Sequence, residues 1–361
     1  MSRRGWALFV ALSVIWGIPY LFIKVAVQDL SPAAVVFGRT ALAALLLLPL
    51  AAARRQLRPL LPAAGWLLVF ALLEVCAPFG LLSVAEQHIS SSLTGLLVAA
   101  VPLIQALISR LLGLGERLDA GRMVGLLVGL AGVAALVGID VRGSNLLAAL
   151  AVVLAAACYA TGPLVATLRL AHLSSMAVSA VAMVVSAVLY APLAWITRPA
   201  GRLDAVSPAA WAAVGVLGIV CSALAFLVFF ALLAEVGPAR TTVITYVNPA
   251  VAVVLGVLTL GEPVTAGLVL GFPLVLLGSY LATRRSPPAD HRAGGDAAGY
   301  GELGRENTPA ELPAGASGSP SAGGGSPSTS APSPTSVSPT SVSPSSAPPA
   351  SSWGTSSYRR P

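Results

Sequence analysis

Residues 112–132, with the sequence LGLGERLDAGRMVGLLVGLAG, return at residues 258–278 as LTLGEPVTAGLVLGFPLVLLG. A constant offset of 146 residues aligns a Gly-Glu pair and four further small residues in the two copies. The aligned positions are Gly115, Glu116, Ala120, Gly121, Gly125 and Gly132 with Gly261, Glu262, Ala266, Gly267, Gly271 and Gly278. Each copy comes near the end of a set of five long apolar segments. The sequence therefore predicts two homologous halves that are fused head to tail.

The composition indicates a membrane protein. The 361 residues are 56% hydrophobic and only 10% charged, with a mean hydropathy of +0.85, so the chain lacks the polar surface of a soluble protein. Apolar stretches of about 18 to 24 residues between polar breaks predict ten transmembrane helices. These helices are centred on residues 6–26, 33–53, 63–83, 91–111, 121–139, 145–166, 173–195, 210–231, 238–260 and 264–282.

Basic residues indicate which side of the membrane each loop faces. With the N-terminus inside, the cytoplasmic ends of the spans hold twelve arginines and the opposite ends hold four basic residues. The positive-inside rule then predicts a multi-pass plasma membrane protein with both termini in the cytoplasm. Because the net charge of +7 belongs to membrane loops, it does not indicate a nucleic acid partner. The expected partners are the lipid bilayer and a small-molecule substrate.

Five spans per half is an odd number, so the second half must enter the membrane in the opposite orientation. We expect an all-α membrane protein with ten transmembrane helices in two inverted five-helix repeats, plus a disordered C-terminal tail. The repeats occupy residues 1–140 and 141–285. The Pro/Ser/Gly-rich cytoplasmic tail, 286–361, cannot bury enough apolar area to become ordered. It is either dispensable or regulated through Ser/Thr phosphorylation or a partner.

Neither a metal nor a cofactor is expected. Cys76, Cys158 and Cys221 lie in three different apolar spans, where cysteine acts as a small packing residue. The three histidines are too scattered for a metal site. The sequence has no GxxxxGK[ST] phosphate-binding loop, so it does not predict ATP hydrolysis.

Several motifs resemble the drug/metabolite transporter superfamily, in particular its ten-helix branch with paired EamA-like domains. They are the segment WGIPYLFIK from Trp16 to Lys24, Arg39 early in the second span, Pro102 in the fourth span, and the two Leu-Gly-Glu motifs that precede Gly-spaced helices. The resemblance covers about residues 5–283. It implies a carrier that works by alternating access, driven by a proton or other gradient or by exchange, often an exporter of amino acids, other metabolites or drugs.

The second half departs from this pattern. It has Tyr159-Ala160 where the first half has Trp16-Gly17, and Thr167 where the first half has Lys24. We therefore expect an asymmetric site, and we include Tyr159 among its candidate residues.

Three ionisable residues within the spans are the main candidates for the substrate or proton pathway, because a charge at a helix centre costs about 2.5 to 3.5 kcal/mol. Glu74 lies midway along the third span, and Pro78 on the same helix face removes a backbone hydrogen bond. A broken helix beside a carboxylate suits a binding or proton-relay position. The alternative is a structural ion pair between Glu74 and Arg39 or Lys24. An offset of 149 residues aligns Ala223 with Glu74, so only one half carries the acid.

The other two candidates leave alternatives open. Arg39 either reaches the membrane interface or contacts an anionic part of the substrate. Lys24, the only lysine, shares a helix face with Trp16 and Tyr20. These three residues either line the cavity, or the aromatic rings pack while Lys24 reaches outward.

The ninth span contains a polar cluster that a lipid-facing helix would not tolerate. Thr241, Thr245 and Asn248 follow helical spacing, and we expect them to face the interior, as we do for Gln105 beside Pro102 in the fourth span. These residues either line a midplane site or form interhelical hydrogen bonds.

The repeated glycines and glutamates are expected to be structural. GxxxG spacing at Gly121, Gly125 and Gly129 predicts close helix packing, within one chain or in a homodimer. Glu116 and Glu262 begin the last helix of each half, where a carboxylate is stabilised by the positive end of that helix.

Two other functional classes fit less well. An integral membrane enzyme acting on a lipid or lipid-linked substrate would need clustered acids or histidines in its loops, and here the acids are single and the loops are short. A channel is disfavoured because the chain has no rings of charge or filter-like loops. The sequence favours a secondary active transporter, with export more expected than uptake.

Overall fold

The computed structural model describes residues 1–113, 120–140, 145–197, 206–241 and 243–283, which form helices joined by short turns, without a β-strand in these ranges. The main helices are α1 (Arg3–Ala26), α2 (Pro32–Ala53), α3 (Arg58–Ala85), α4 (Ser91–Leu111), α5 (Ala120–Asp140), α6 (Leu146–Arg169), α7 (Ser175–Ile196), α8 (Pro208–Val236), α9 (Ile244–Leu260) and α10 (Ala266–Thr283). The predicted tail at 286–361 lies outside the described residues.

The helices have the lengths that a membrane-spanning bundle needs. Within the described ranges, nine helices are long and apolar enough to cross a membrane, and α9 is a shorter apolar helix of 17 residues. The predicted all-α membrane fold is therefore confirmed. We call the end of the bundle at which α1 begins the N-terminal end, and the end that carries the α1–α2, α3–α4 and α9–α10 turns the distal end.

The ninth span is shorter than predicted. In place of one helix over 238–260, the chain forms a short helical turn at Pro238–Thr241 and then α9. Gly237 has a φ of +78°, a conformation that favours glycine, and it ends α8. The residue that follows is a proline, which starts the new turn.

Serine side chains begin several helices. Ser2, Ser31, Ser90 and Ser207 precede α1, α2, α4 and α8, and each side-chain oxygen accepts a hydrogen bond from the backbone N–H three residues later. This N-cap satisfies an amide that would otherwise lack a partner. Three of the four caps lie at the distal end, before α2, α4 and α8.

The equivalent helices α3 and α8 both contain a π-helical turn, at Leu72–Cys76 and Ile219–Leu224. In each turn a backbone N–H donates to the carbonyl five residues earlier, from Ala77 to Leu72 and from Ala225 to Val220. Pro78 is compatible with the turn in α3, because proline lacks the N–H that a regular helical ladder would use at this position. The matching turn in α8 needs no proline, so it reflects the repeat itself.

Glycines bring α5 and α10 into backbone contact. A Cβ built on Gly278 would collide with the backbone nitrogen and Cα of Gly129, and a Cβ on Gly132 would lie 2.7 Å from the backbone nitrogen of Val275. Small residues allow this close approach. The two glycine ladders therefore pack against each other within one chain.

The two halves share their buried core. One apolar cluster combines Tyr20 and Leu96 of the first half with Val152 and Leu217 of the second. The second large cluster likewise joins residues of α2 and α3 to residues of α7, such as Met183. The repeats therefore form one bundle.

We predict that Gly278→Ala destabilises the protein, because the new methyl group would force the α5 and α10 backbones apart. Overpacking of this kind costs about 1 to 3 kcal/mol, which exceeds the helix propensity gained by alanine. The measurement is the midpoint of thermal unfolding in detergent.

Gly215→Ala is the matched control, since no atom lies within 4 Å of a Cβ at this position in α8. Its midpoint should stay the same or rise. Equal midpoints for both variants would contradict the glycine-mediated packing.

Candidate functional site

Glu74 lies in the π-helical turn of α3 and faces the other half of the protein. Its Oε2 atom is buried and has no hydrogen-bond partner among the described residues. The neighbouring residue is Gly162 of α6, where a Cβ would lie 3.2 Å from the Cβ of Glu74. Gly162 therefore provides the space for this carboxylate. The predicted break in α3 places an unpaired acid between the two halves.

Arg39 points into the protein and not to the membrane interface. The residue is only 6% exposed, and its Nε donates a hydrogen bond of 2.9 Å to Oγ of Ser222 in the π-helical turn of α8. Its guanidinium carbon lies 3.7 Å from the ring centroid of Phe79. Because Ser222 donates in turn to the carbonyl of Leu217 at 2.8 Å, the arginine is held in one position.

The alternative of an ion pair between Glu74 and a basic residue is absent from the described hydrogen bonds. Arg39 bonds to Ser222, and Lys24 bonds to backbone carbonyls. Glu74 keeps its unpaired oxygen. The structural alternative for Glu74 therefore finds no support in these contacts.

Two tyrosines lie near these charged side chains. Tyr20 is 9% exposed, and both Tyr20 and Tyr159 lie close enough to Arg39 to interact with it electrostatically. Tyr159 is similarly close to Glu74. We call Tyr20, Arg39, Glu74 and Tyr159 the interior polar group. Trp16 is not part of it, because its ring packs on Phe229 of α8 with centroids 5.2 Å apart.

Lys24 lies at the distal end. Its Nζ donates to the carbonyl oxygens of Glu86 at 2.7 Å and Ile89 at 2.8 Å. A lysine near the last carbonyls of a helix stabilises the negative end of that helix. Lys24 therefore ties α1 to the α3–α4 turn, one helical turn beyond Tyr20.

Among the candidate polar residues of the ninth span, Asn248 connects two helices. Asn248 donates its side-chain amide to the carbonyls of Ser13 and Ile244 at 3.1 Å, in the amide orientation that these acceptors require. Thr241 is buried and donates to the carbonyl of Gly237 at 2.8 Å, while Thr245 is partly buried. The bond to Ser13 joins α9 to α1.

Gln105 does not face the interior. It is exposed on α4, although the neighbouring residues Pro102 and Leu103 are buried. The helix is interrupted at Ala99 and Ala100, so the register of its first segment does not continue into the second. Gln105 is therefore separated from the interior polar group.

Glu262 stabilises a different helix from the one predicted. Its two carboxylate oxygens accept four hydrogen bonds, from the backbone N–H and the hydroxyl of both Ser91 and Ser92, at 2.5 to 2.9 Å. The acid thus caps the N-terminus of α4 in the first half, and not the start of α10. We call these three residues the Glu262 clamp. Glu116, its counterpart in the repeat, lies outside the described residues.

The hydrogen bonds also set the acidity of Glu262. Partial burial alone would raise the pKa of the Glu262 carboxyl. The hydrogen bonds from Ser92 and Ser91 together lower the pKa by more than burial raises it, so it lies below its usual value. The clamp therefore holds an ionised carboxylate at neutral pH. The negative charge of this carboxylate is attracted to the partial positive charge at the N-terminus of α4.

Glu86 was missed among the candidates and is the most deeply buried acid described. Its side chain has 0% exposure, and neither carboxylate oxygen has a hydrogen-bond partner among the described residues. A weak signal existed in the sequence, because Ala85-Glu86 aligns with Ala234-Glu235. That alignment indicates a shared position, and it cannot indicate burial.

The described residues contain no group of three or more His, Cys, Asp or Glu that could hold a metal ion.

Two clefts open at the N-terminal end. One, of about 500 Å³, is lined by residues that include Arg54, Ser174 and Phe230, and the other, of about 630 Å³, by residues that include Trp66 and Arg169. The interior polar group lines neither cleft, so it is separated from both.

An inverted repeat of five helices is an architecture of membrane transport proteins. The profile of the EamA-like transporter family matches residues 3–138 and 146–284, and the chain belongs to this family. The drug/metabolite transporter resemblance of the sequence is thereby confirmed.

Individual relatives agree with this assignment. The inner membrane transporter YedA of Escherichia coli strain K12 is 32% identical over 76% of this chain and 91% of its own length. A "Probable terminal-alkyne amino-acid exporter" of Streptantibioticus cattleyicolor is 26% identical over 79% of this chain and 95% of its length. A solved crystal structure with 21% identity covers 78% of this chain and 98% of its own, with a TM-score of 0.57, which supports the fold.

We predict that Glu262→Gln lowers the free energy of unfolding by about 1 to 2 kcal/mol, because hydrogen bonds to a charged group are replaced by weaker ones on a partly exposed residue. The stabilisation by the wild-type carboxylate is complete above the unfolded pKa of about 4.3 and is lost as the pH falls through the lower folded value. Thermal unfolding at neutral and acidic pH measures both effects.

Glu235→Gln serves as the control, because Glu235 is exposed and accepts a single side-chain hydrogen bond, from Ser2. It should leave the unfolding midpoint nearly unchanged. If both variants lose the same stability, the clamp has no special role.

Proposed function

We propose that this protein is a secondary active transporter that exports a small metabolite, amino acid or drug across the plasma membrane by alternating access, with proton coupling or exchange. Membership of the EamA-like transporter family supports the class. The observation that carries the coupling hypothesis is the buried Oε2 of Glu74, unpaired between the two halves. The proposed orientation has both termini in the cytoplasm, so that the distal end faces outward.

Among the described residues, no basic side chain bonds to the Oε2 of Glu74. An ionised carboxylate without a partner is costly in a low-dielectric interior, so it is neutralised by a proton or by a cationic group of the substrate. If proton and substrate compete for this one carboxylate, then release of one accompanies binding of the other. This competition would couple export to an inward proton movement.

The interior polar group supports an amino acid or a similar zwitterion as the substrate class. Arg39 supplies a buried positive charge, and Glu74 supplies a carboxylate whose Oε2 is buried, with Tyr159 close to both. A zwitterion could place its carboxylate at the guanidinium and its ammonium at Glu74. The Streptantibioticus cattleyicolor relative is named a probable terminal-alkyne amino-acid exporter, which points to the same substrate class.

Extracellular metabolite profiling identifies the cargo. Cells that overproduce the wild-type protein should release one compound class in excess over cells that overproduce Glu74→Gln. Amino acids are the expected class. Accumulation of a modified lipid in place of a released metabolite would favour the membrane enzyme.

We predict that Glu74→Gln abolishes proton-driven transport, because glutamine cannot take up or release the coupling proton. Proteoliposomes loaded with a mixture of radiolabelled amino acids are exposed to a pH gradient, and release is followed by filtration. Release from the variant should fall to that of protein-free vesicles, while exchange against external unlabelled amino acids is partly retained.

Glu235→Gln is again the matched control, since it removes an exposed acid of the second half. Its gradient-driven release should equal that of the wild type. Normal gradient-driven release by a correctly folded Glu74→Gln protein would remove Glu74 from the coupling mechanism.

A further inference from the structure

Glu86 is a buried acid that has no role in the transport mechanism proposed for Glu74. It directly follows the last residue of α3, its side chain is 0% exposed, and neither Oε1 nor Oε2 has a hydrogen-bond partner among the described residues. Burial of an unpaired carboxylate carries a large desolvation cost. A purely structural acid at this position would be expected to bond to the lysine beside it.

The nearby charged groups are all bonded elsewhere. Lys24 of α1 donates to the backbone carbonyls of Glu86 and Ile89, although its charge still acts on the Glu86 carboxyl. Arg39 of α2 bonds to Ser222. Both interact with Glu86 electrostatically, but neither hydrogen-bonds to its carboxylate oxygens.

Two further titratable groups face Glu86. They are Glu262, in the turn before α10, and Tyr20 of α1. Glu262 is held as a carboxylate by the clamp, and its negative charge disfavours a second negative charge on Glu86. Burial raises the pKa of Glu86 well above its usual value, and the charge of Lys24 offsets only part of this effect.

The repeat supplies an internal comparison. Glu235, which aligns with Glu86 at an offset of 149 residues, is exposed and accepts a hydrogen bond of 2.6 Å from Oγ of Ser2. The same acid is therefore solvated in one half and buried without a partner in the other. The burial of Glu86 therefore comes from its surroundings at the distal end, which include Lys24 of α1, and not from its residue type.

We propose that Glu86 is a second proton-binding site of the transporter, which carries a proton while the Glu262 clamp is formed and releases it when the distal end opens. The proposal rests on the proton-coupled function given above and adds a site 12 residues from Glu74 on the same helix, or roughly 18 Å along it. On opening, the carboxyl O–H bond breaks, the proton passes to water, and the resulting carboxylate is stabilised by the ammonium of Lys24.

The geometry gives this proton a function. The Glu262 clamp joins the turn before α10 to the N-terminus of α4, and Lys24 joins α1 to the turn between α3 and α4. Glu86 lies between these two connections. A negative charge on Glu86 would repel Glu262 and attract Lys24 away from the carbonyls, so loss of the proton weakens both connections.

Infrared spectroscopy of the full-length protein in lipid tests the proposal without any substrate. The probe is the proton itself, followed by the C=O stretching band of protonated carboxyl groups as the pH is raised. A band from Glu74 and Glu86 should remain at pH values at which exposed glutamates are already ionised. In Glu86→Gln this band should shrink to the part that Glu74 contributes, and in the double variant Glu74→Gln/Glu86→Gln it should be absent. Glu235→Gln should retain the band.

Lys24→Met provides a second variant in case Glu86→Gln does not fold. Removal of the ammonium removes the group that favours the carboxylate, so the Glu86 band should persist to a pH about one unit higher than in the wild type. Chromatographic behaviour and the thermal unfolding midpoint establish that each variant is folded.

A band that is the same in Glu86→Gln and in the wild type would overturn the proposal. An unchanged titration in folded Lys24→Met would also contradict it. Neither result would affect the role of Glu74, because Glu74→Gln is judged by gradient-driven release. Conversely, a Glu86 band together with normal release by Glu74→Gln would reject Glu74 as the coupling site and leave the Glu86 proton in place.

Discussion

The hydrocarbon core of the membrane offers no water, so each polar group in the bundle must find its partner within the protein. Hydroxyl groups within the helices donate back to carbonyls one turn earlier, as Ser13 does to Phe9 and Thr40 to Val36. Lys24 and Glu262 satisfy the ends of α3 and α4. The same constraint makes any polar group without a partner informative.

Among the described residues, two carboxylates depart from this rule, one within α3 and one directly after it. Glu74 lies in the π-helical turn near the middle of the helix, and Glu86 directly follows its end. In the second half, the position aligned with Glu74 is Ala223, and the one aligned with Glu86 is the exposed Glu235. The fold is thus a symmetric scaffold in which the first half carries the buried acids. In the proposed mechanism, this asymmetry would place the proton sites in one half, while the repeated scaffold would allow two related conformations.

Features that depend on neighbouring residues could be predicted from the sequence. Long apolar runs specify the helices. Pro78 indicated an irregularity beside Glu74, but the matching π-helical turn in α8 has no proline and could not be predicted in this way. The partner of Glu262 could not be predicted, since Ser91 is 171 residues earlier and approaches only when the two halves pack. The burial of Glu86 depends on the same tertiary packing. Gln105 was misplaced because the interruption of α4 at Ala99 and Ala100 changes the register of the following segment.

Alternating access requires that contacts between the two halves close the distal end in this structure and that they open as the N-terminal end closes. Electron spin resonance distances in lipid test it directly, with one label pair at Gln87 and Val264 and another at Arg55 and Ser175, all exposed positions, in a protein whose buried cysteines are replaced. Raising the pH should lengthen the Gln87–Val264 distance and shorten the Arg55–Ser175 distance. Two distances that stay fixed, or that lengthen together, would contradict alternating access between these halves.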